Sequence, residues 1–292
     1  MSRTARRLAP PYLDSVRRRR QADRLLEYVP AAAGGYVEPI LDGGAVAVAL
    51  LARHPEWSFV LGSPNRDLVT VWATVRAEAR ALVERVAFHA ARHSPAYFLA
   101  ERELALQAGD RADATHGSEV TGVLDEPIGS DVERAARFIY LRGTSAPGSG
   151  GLPLQHFDDA VPGRDEPAFD AAGLLELASI LRDRDVEFLV GSPFSFLPAV
   201  REDDVVFLDP PTGASVEARE LRSFTGAVTA KGGALLLPGS SAGSPEGLAA
   251  WRDLRRLDEP AGRSAEVDLG VWGNTPLRRL LLVEDDRLRR RD

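Results

Sequence analysis

Short apolar runs of strand length recur along this chain, and amphipathic helical stripes lie between most of them. Gly35 to Leu51, "GYVEPILDGGAVAVALL", reads as a strand, a glycine-containing turn and a helix. "WSFVLG" (Trp57 to Gly62), "VEFLV" (Val186 to Val190), "VVFL" (Val205 to Leu208) and "ALLL" (Ala234 to Leu237) read as further strands, with Leu280 to Val283 as a last one. From Leu68 to His93, apolar residues at Val75, Ala79, Leu82, Val83, Val86 and Ala90 keep the three-to-four spacing of one buried helix face. Ser94 and Pro95 are an N-cap and first-turn proline for a helix through Leu106. Asp131 to Tyr140 is helical, and Asp170 caps a helix running to Arg184 with Leu174, Leu177, Ala178 and Leu181 inward. Gln107 to Glu126 and Ser145 to Asp165 are loops by their Gly, Pro and Ser content. Such alternation predicts an α/β fold, a doubly wound, mostly parallel sheet covered on both faces. Ligands of such sheets sit beyond the carboxyl ends of the strands. Asp42-Gly43-Gly44 and Asp209-Pro210-Pro211 both fall on that rim.

Composition narrows the chemistry. The 292 residues are 44% hydrophobic, enough for one large domain or two smaller ones. There is no cysteine, which excludes disulfides, zinc thiolates and thiol nucleophiles. No apolar run is long enough to span a membrane, and the basic N-terminus is not followed by an apolar signal core, so a cytoplasmic protein is expected. The net charge of −7 opposes bulk attraction to nucleic acid. The first twenty residues nevertheless carry seven arginines, including Arg17, Arg18, Arg19 and Arg20. That run is either a solvated arm or a phosphate-facing stripe. His89 and His93 stand at i, i+4, a spacing compatible with a metal, but with no third ligand evident a solvated helix face is expected and no metal is assigned. Ser244 to Leu254 reads as a Ser-capped amphipathic helix with Trp251 inward.

Three segments in order carry a resemblance. "YVEPILDGGAVAVAL" (Tyr36 to Leu50), "VERAARFIYLRGTSAPG" (Val132 to Gly148) and "VVFLDPPTGAS" (Val205 to Ser215) resemble the cofactor loop, the central segment and the catalytic "DPPY" strand end of the DNA adenine N6-methyltransferases of the Dam-like class. The resemblance implies a Rossmann-like, S-adenosylmethionine-dependent methyltransferase fold. Its methyltransferase domain would comprise residues 1–75 and 170–292, with a mainly helical target-recognition insertion over 76–169. It implies Asp209 and the Pro210 carbonyl as acceptors for the two hydrogens of an adenine amino group, favouring its pyramidal, nucleophilic form, with Pro211 stiffening the rim. Tyr36, Glu38, Pro39, Asp42, Gly43, Gly44, Ser63 and Ser192 would line the S-adenosylmethionine site. Arg142, Thr144 and the Arg17–Arg20 run would meet double-stranded DNA.

The departures from the family pattern converge on one pocket. Thr212 replaces the aromatic that stacks on a flipped base, a contact worth roughly 1–3 kcal/mol. Ile40 stands for an aromatic and Asp42 for a glycine, where a carboxylate would repel the cofactor's own. Ser63 and Ser192 take the places of acidic residues and cannot supply charge-assisted hydrogen bonds of carboxylate strength. Asp14 to Arg19, "DSVRRR", aligns with a "KWAGGK" region and has lost both glycines. Two readings follow. One is S-adenosylmethionine-dependent methyl transfer to adenine N6 in DNA. The other is a non-catalytic methyltransferase-like protein that binds DNA or a protein partner.

Overall fold

The computed structural model describes residues 8–12, 22–114, 122–123, 131–146, 157, 160–165, 167–209, 218–238, 254–257 and 270–289, with side chains outside 108–114, 122–123, 218 and 285–289. An eight-stranded mixed sheet organises them. Its strands are β1 (Gly35–Glu38), β2 (Ser58–Ser63), β3 (Gly122–Val123), β4 (Asp185–Val190), β5 (Val205–Phe207), β6 (Ala234–Pro238), β7 (Arg255–Arg256) and β8 (Val271–Gly273). Their spatial order is β3-β4-β2-β1-β5-β6-β8-β7. The five strands β4, β2, β1, β5 and β6 are mutually parallel, and β3, at one edge, pairs antiparallel with β4. At the other edge β8 runs antiparallel to β6, and β7 antiparallel to β8.

Parallel neighbours require crossovers, and helices supply most of them. They are α1 (Ala45–Arg53), α2 (Arg66–Ala90), α3 (Pro95–Ala114), α4 (Asp131–Thr144), α5 (Ala171–Arg182), α6 (Ala218–Ala230) and the C-terminal α7 (Thr275–Arg289). A 3-10 helix, Pro193–Ala199, joins β4 to β5. Caps fall where the sequence placed them: Ser94 Oγ accepts the Tyr97 amide at 3.1 Å and Asp170 Oδ1 that of Gly173 at 2.9 Å. The Asn65 side chain accepts the Asp67 amide at 2.9 Å and opens α2.

Strand pleating divides the interior in two. Tyr36, Phe59, Leu61, Val205, Phe207, Ala234 and Leu236 join one buried cluster with α1, α2, α4 and α5. Their alternates Val37, Val206, Leu208, Leu235 and Leu237 join the other, with Phe196, Leu221, Phe224 and Trp272. The segment 76–169 is continuous with the first cluster, because Leu82, Phe98, Ile139 and Tyr140 are buried within it.

One strand expectation is overturned. Leu280 to Val283 lies inside α7, and the last strand is instead "VWG", Val271–Gly273. A four-residue apolar run does not by itself distinguish strand from helix. The tertiary structure decides it through Asn274, fully buried just ahead of α7. Asn274 Oδ1 accepts the Leu235 amide of β6 at 2.9 Å and the Leu277 amide at 3.1 Å. Its Nδ2 donates to Gly233 O at 2.8 Å and Thr229 Oγ1 at 3.0 Å. Helix start, sheet and α6 are thus tied by one side chain. Asn274→Ala leaves buried backbone groups of β6 unsatisfied and is expected to cost about 2–4 kcal/mol, read as a lowered urea midpoint with an unchanged slope.

Candidate functional site

The strand order β4-β2-β1-β5-β6 reverses direction between β1 and β5, the switch point at which open α/β sheets hold ligands. The β1–β5 register, Tyr36 opposite Val205 and Val37 opposite Val206, sets Glu38 opposite Phe207, with Asp209 two residues further on. Pleating puts Tyr36, Glu38, Phe207 and Asp209 on the same face. Glu38 is buried and accepts a 2.8 Å hydrogen bond from the Tyr36 hydroxyl. Burial first, then the charges of Glu38 and Asp209 and the hydrogen bond to Glu38, push the Tyr36 hydroxyl well above its ordinary pKa.

A cleft opens there. Glu38, Ile40, Asp42, Gly43 and Gly44 come from β1 and the loop after it, and Phe207 and Asp209 from the end of β5. Ala22 and Leu25 cover it from the segment ahead of β1. Three carboxylates face this space, and no described lining residue is Arg or Lys. The loop is held from below: Gly44 has φ +66°, and a Cβ there would lie 2.4 Å from the Trp72 ring of α2. Glycine is therefore required at the mouth of α1 on conformational and steric grounds.

The structure brings only part of the predicted constellation together. Glu38, Asp42, Gly43, Gly44 and Asp209 line the cleft, and Tyr36 supports Glu38. Pro39 is buried beside them. Ser63 and Ser192 do not line it. Ser63 is fully buried and its Oγ accepts the Asn65 amide at 3.1 Å, while Ser192 is exposed ahead of the 3-10 helix. Pro210, Pro211, Thr212, the Arg17–Arg20 run and most of the Ser244–Leu254 segment lie outside the described residues. Thr144 is fully buried and donates to Tyr140 O at 2.7 Å. The Arg142 guanidinium lies 5.6 Å from the ring centres of both Phe138 and Phe157. Residues 13–21 and 210–217, which adjoin these lining residues in sequence, lie outside the described residues.

A second cluster of titratable groups joins α2, α3 and α4, and it overturns the solvated-face expectation for His89, whereas His93 stays partly exposed. His89 is fully buried. It follows Leu82 and Val86 on the same helical stripe, a signal present in the sequence. His89 Nδ1 lies 2.8 Å from the Tyr97 hydroxyl, and Nε2 lies 3.3 Å from Glu133 Oε1. His93 Nε2 donates to Arg164 O at 2.8 Å, so in the neutral ring Nδ1 accepts from the Tyr140 hydroxyl, 2.9 Å away. Glu101 and Glu133 are acidic partners the sequence did not point out.

Donor atoms of His89, Glu101 and Glu133 lie within 4.8 Å of one another, a metal-like spacing. The carboxylates are already neutralised, however. Arg85 is hydrogen-bonded to Glu133, and Arg137 bridges Glu101 Oε2 at 2.7 Å and Glu133 Oε1 at 3.1 Å. A divalent ion would press against two guanidinium groups, so the cluster is a charge-balanced internal network.

Burial holds His89 below its ordinary pKa despite the nearby carboxylates. Burial pushes Glu133 up, but the Arg85 hydrogen bond and the charges of His89, Arg85 and Arg137 outweigh it and leave the carboxyl below its usual value. Burial and the charge of Glu101 raise Tyr97 to about 12.

No protein-family model matches the sequence, and no curated protein matches it. Among the described residues no helix is long and apolar enough to cross a membrane.

The buried histidine sets a pH dependence. Its pKa is depressed on folding, so its stabilising contribution is complete above the unfolded value of about 6.5 and is lost as pH falls from there toward the folded pKa. Stability of the wild type, followed by urea unfolding from pH 7.5 to 5, is expected to fall more steeply than that of His89→Gln. Parallel curves for the two proteins would show that His89 does not titrate between the states.

Proposed function

We propose that this chain is a non-catalytic relative of the DNA adenine N6-methyltransferases, one that acts by binding double-stranded DNA without transferring a methyl group. The sequence segments that resemble the family support its lineage. So does the arrangement around them: the resembling "YVEP" and "VVFLD" ends lie on adjacent strands at the switch point of the sheet. The observation that carries the non-catalytic reading is the lining of the cleft: Asp42 faces it where the family pattern has a glycine, and Ser63 and Ser192, the positions expected to hold the cofactor's ribose and adenine, are not among its described lining residues. DNA is the partner class that the resemblance brings, and the Arg17–Arg20 run is the sequence feature suited to phosphates.

One observation favours the second reading, an active N6-methyltransferase. Glu38 and Asp209 are held side by side on the same face of β1 and β5, with Tyr36 and Phe207 beneath them at a ring separation of 6.5 Å. Asp209 is half-buried at the rim, where an acceptor for an extruded amino group is wanted.

Calorimetry with S-adenosylmethionine and tritiated methyl transfer to mixed-sequence duplex DNA separate the two. The expected result is no heat at millimolar cofactor and no transfer, together with duplex binding that weakens steeply with salt. Replacing Arg17 to Arg20 with Ala should flatten that salt dependence. Micromolar cofactor binding, with methyl transfer that disappears in Asp209→Ala, would establish the second reading instead. A protein that ignores duplex DNA even at low salt would remove DNA from the first.

A further inference from the structure

Helix α2 is interrupted in its middle without any of the residues that usually bend a helix. Glu78 has φ −132° and ψ 38°, outside the helical range, yet the helix contains no Pro, Gly or Ser. A non-helical residue disturbs the i→i−4 bonds that span it, and the carbonyls concerned are those of Val75, Arg76 and Ala77. The Arg182 guanidinium of α5 donates to Arg76 O at 3.2 Å. Arg76 itself donates to Val186 O of β4 at 2.6 Å and lies 4.8 Å from the Phe188 ring centre. A side chain entering the ladder thus accounts for the bend, and two arginines fix it against the sheet.

The bend divides α2 into two limbs with different neighbours. Before it, Leu68, Val69, Val71, Trp72 and Val75 are fully buried, and Arg76 ties the limb to β4 and α5. Beyond it, Arg85 bonds to Glu133 and His89 Nδ1 meets the Tyr97 hydroxyl at 2.8 Å. His93, just past the helix end, meets the Tyr140 hydroxyl at 2.9 Å. With the Arg137–Glu101 bond, these contacts join the second limb to α3 and α4. One contact runs back: Arg134 of α4 pairs with Asp67 in the first turn of α2. In a straight helix Asp67 and His89 would stand roughly 33 Å apart. Glu133, which lies 3.3 Å from His89 Nε2, and Arg134, which holds Asp67, are neighbours in sequence, with Cα atoms about 3.8 Å apart. The two limbs therefore fold round the first turn of α4. Asp67 comes shortly after Ser63, the last residue of β2, so the pair sits at the strand-end rim.

We propose that Glu78 is a hinge between the sheet and the helical layer, and that the Asp67–Arg134 ion pair is the latch that holds the layer closed against the strand-end rim. The layer is α3, α4 and the limb of α2 beyond Glu78. Among the described ion pairs, Asp67–Arg134 is the one that crosses from this layer to the sheet-bound limb. Its side chains are 12% and 23% exposed, so salt and water screen it less than a surface pair. Ala135, Ala136 and Ile139 of α4 share the core with the first limb, so the motion is a small swing of the layer and not its release. The hinge needs neither DNA nor a cofactor and stands apart from the proposed function.

Spin labels read the hinge directly, because the chain has no cysteine and two introduced ones are the only attachment points. Ala87→Cys on the second limb and Glu176→Cys on α5 are both at exposed positions. Ala87 stands roughly 13 Å along the helix from Glu78, so a swing of about 20° moves its label by roughly 5 Å. Pulsed electron paramagnetic resonance on the full-length protein should give one narrow distance when the latch is intact. Asp67→Asn and Arg134→Gln are each expected to add a second population displaced by roughly 5 Å. A single, unchanged distance in both variants would overturn the latch. A control pair, Glu176→Cys with Glu202→Cys, spans α5 and the loop before β5 and should keep its distance. Broadening of that pair as well would mean general loosening and would also overturn the latch. Amide exchange in the unaltered protein tests the hinge by itself. The amides of Ala79, Arg80 and Ala81 should exchange at least about tenfold faster than those of Val71 to Val75, and equal protection on both sides of Glu78 would overturn the hinge.

Discussion

The parallel register of β1 against β5 is the constraint on which the rest of this structure depends. Once Tyr36 pairs with Val205 and Val37 with Val206, pleating fixes which side chains enter which core. Tyr36, Glu38, Phe207 and Asp209 go to one face, and Val37, Val206 and Leu208 to the other. A slip of β5 by one residue would send Phe207 and Asp209 to the face opposite Tyr36 and Glu38 and so part the two carboxylates. The register also places the switch point, because it joins the half of the sheet containing β2 and β4 to the half containing β6.

Around this centre the protein keeps its ionisable groups in two different ways. At the crevice, Glu38, Asp42 and Asp209 share a rim, with the Tyr36 hydroxyl donating to Glu38. Between α2, α3 and α4, by contrast, two carboxylates are matched by two guanidinium groups, with a fully buried histidine between them. The helical network is neutralised internally and joins α3 and α4 to α2. At the crevice, Tyr12 donates to the Asp42 carbonyl, and Ala22 and Leu25 line the space from ahead of β1.

Much of the scaffold was legible in advance for a simple reason. Strands buried on both faces appear as nearly unbroken apolar runs, and the Ser94 and Asp170 caps announce their helices. Asp42 and Asp209 were legible as rim residues because they follow strands whose carboxyl ends face the ligand side of an α/β sheet. Less could be read where one apolar run serves two structures equally well. Leu280 to Val283 was ambiguous until Asn274 fastened the chain to β6 and started α7. His89 was ambiguous because a histidine on an apolar stripe shows its burial only when partners arrive from elsewhere, and Glu101 and Glu133 come from helices beyond it in sequence.

The sequence by itself determined the α/β class, the main parallel strands, most helix starts and the positions of Asp42 and Asp209 just beyond β1 and β5. These follow from periodicity and capping, which are local. Only the tertiary structure decided that Ser63 turns to the nearby Asn65 amide, that His89 is enclosed by Glu101, Glu133, Arg85 and Arg137, and that Tyr12 bonds to the Asp42 carbonyl while Leu25 lines the crevice. Each of those outcomes joins residues far apart in the chain or depends on the space left between packed layers, and no local pattern encodes how much space remains.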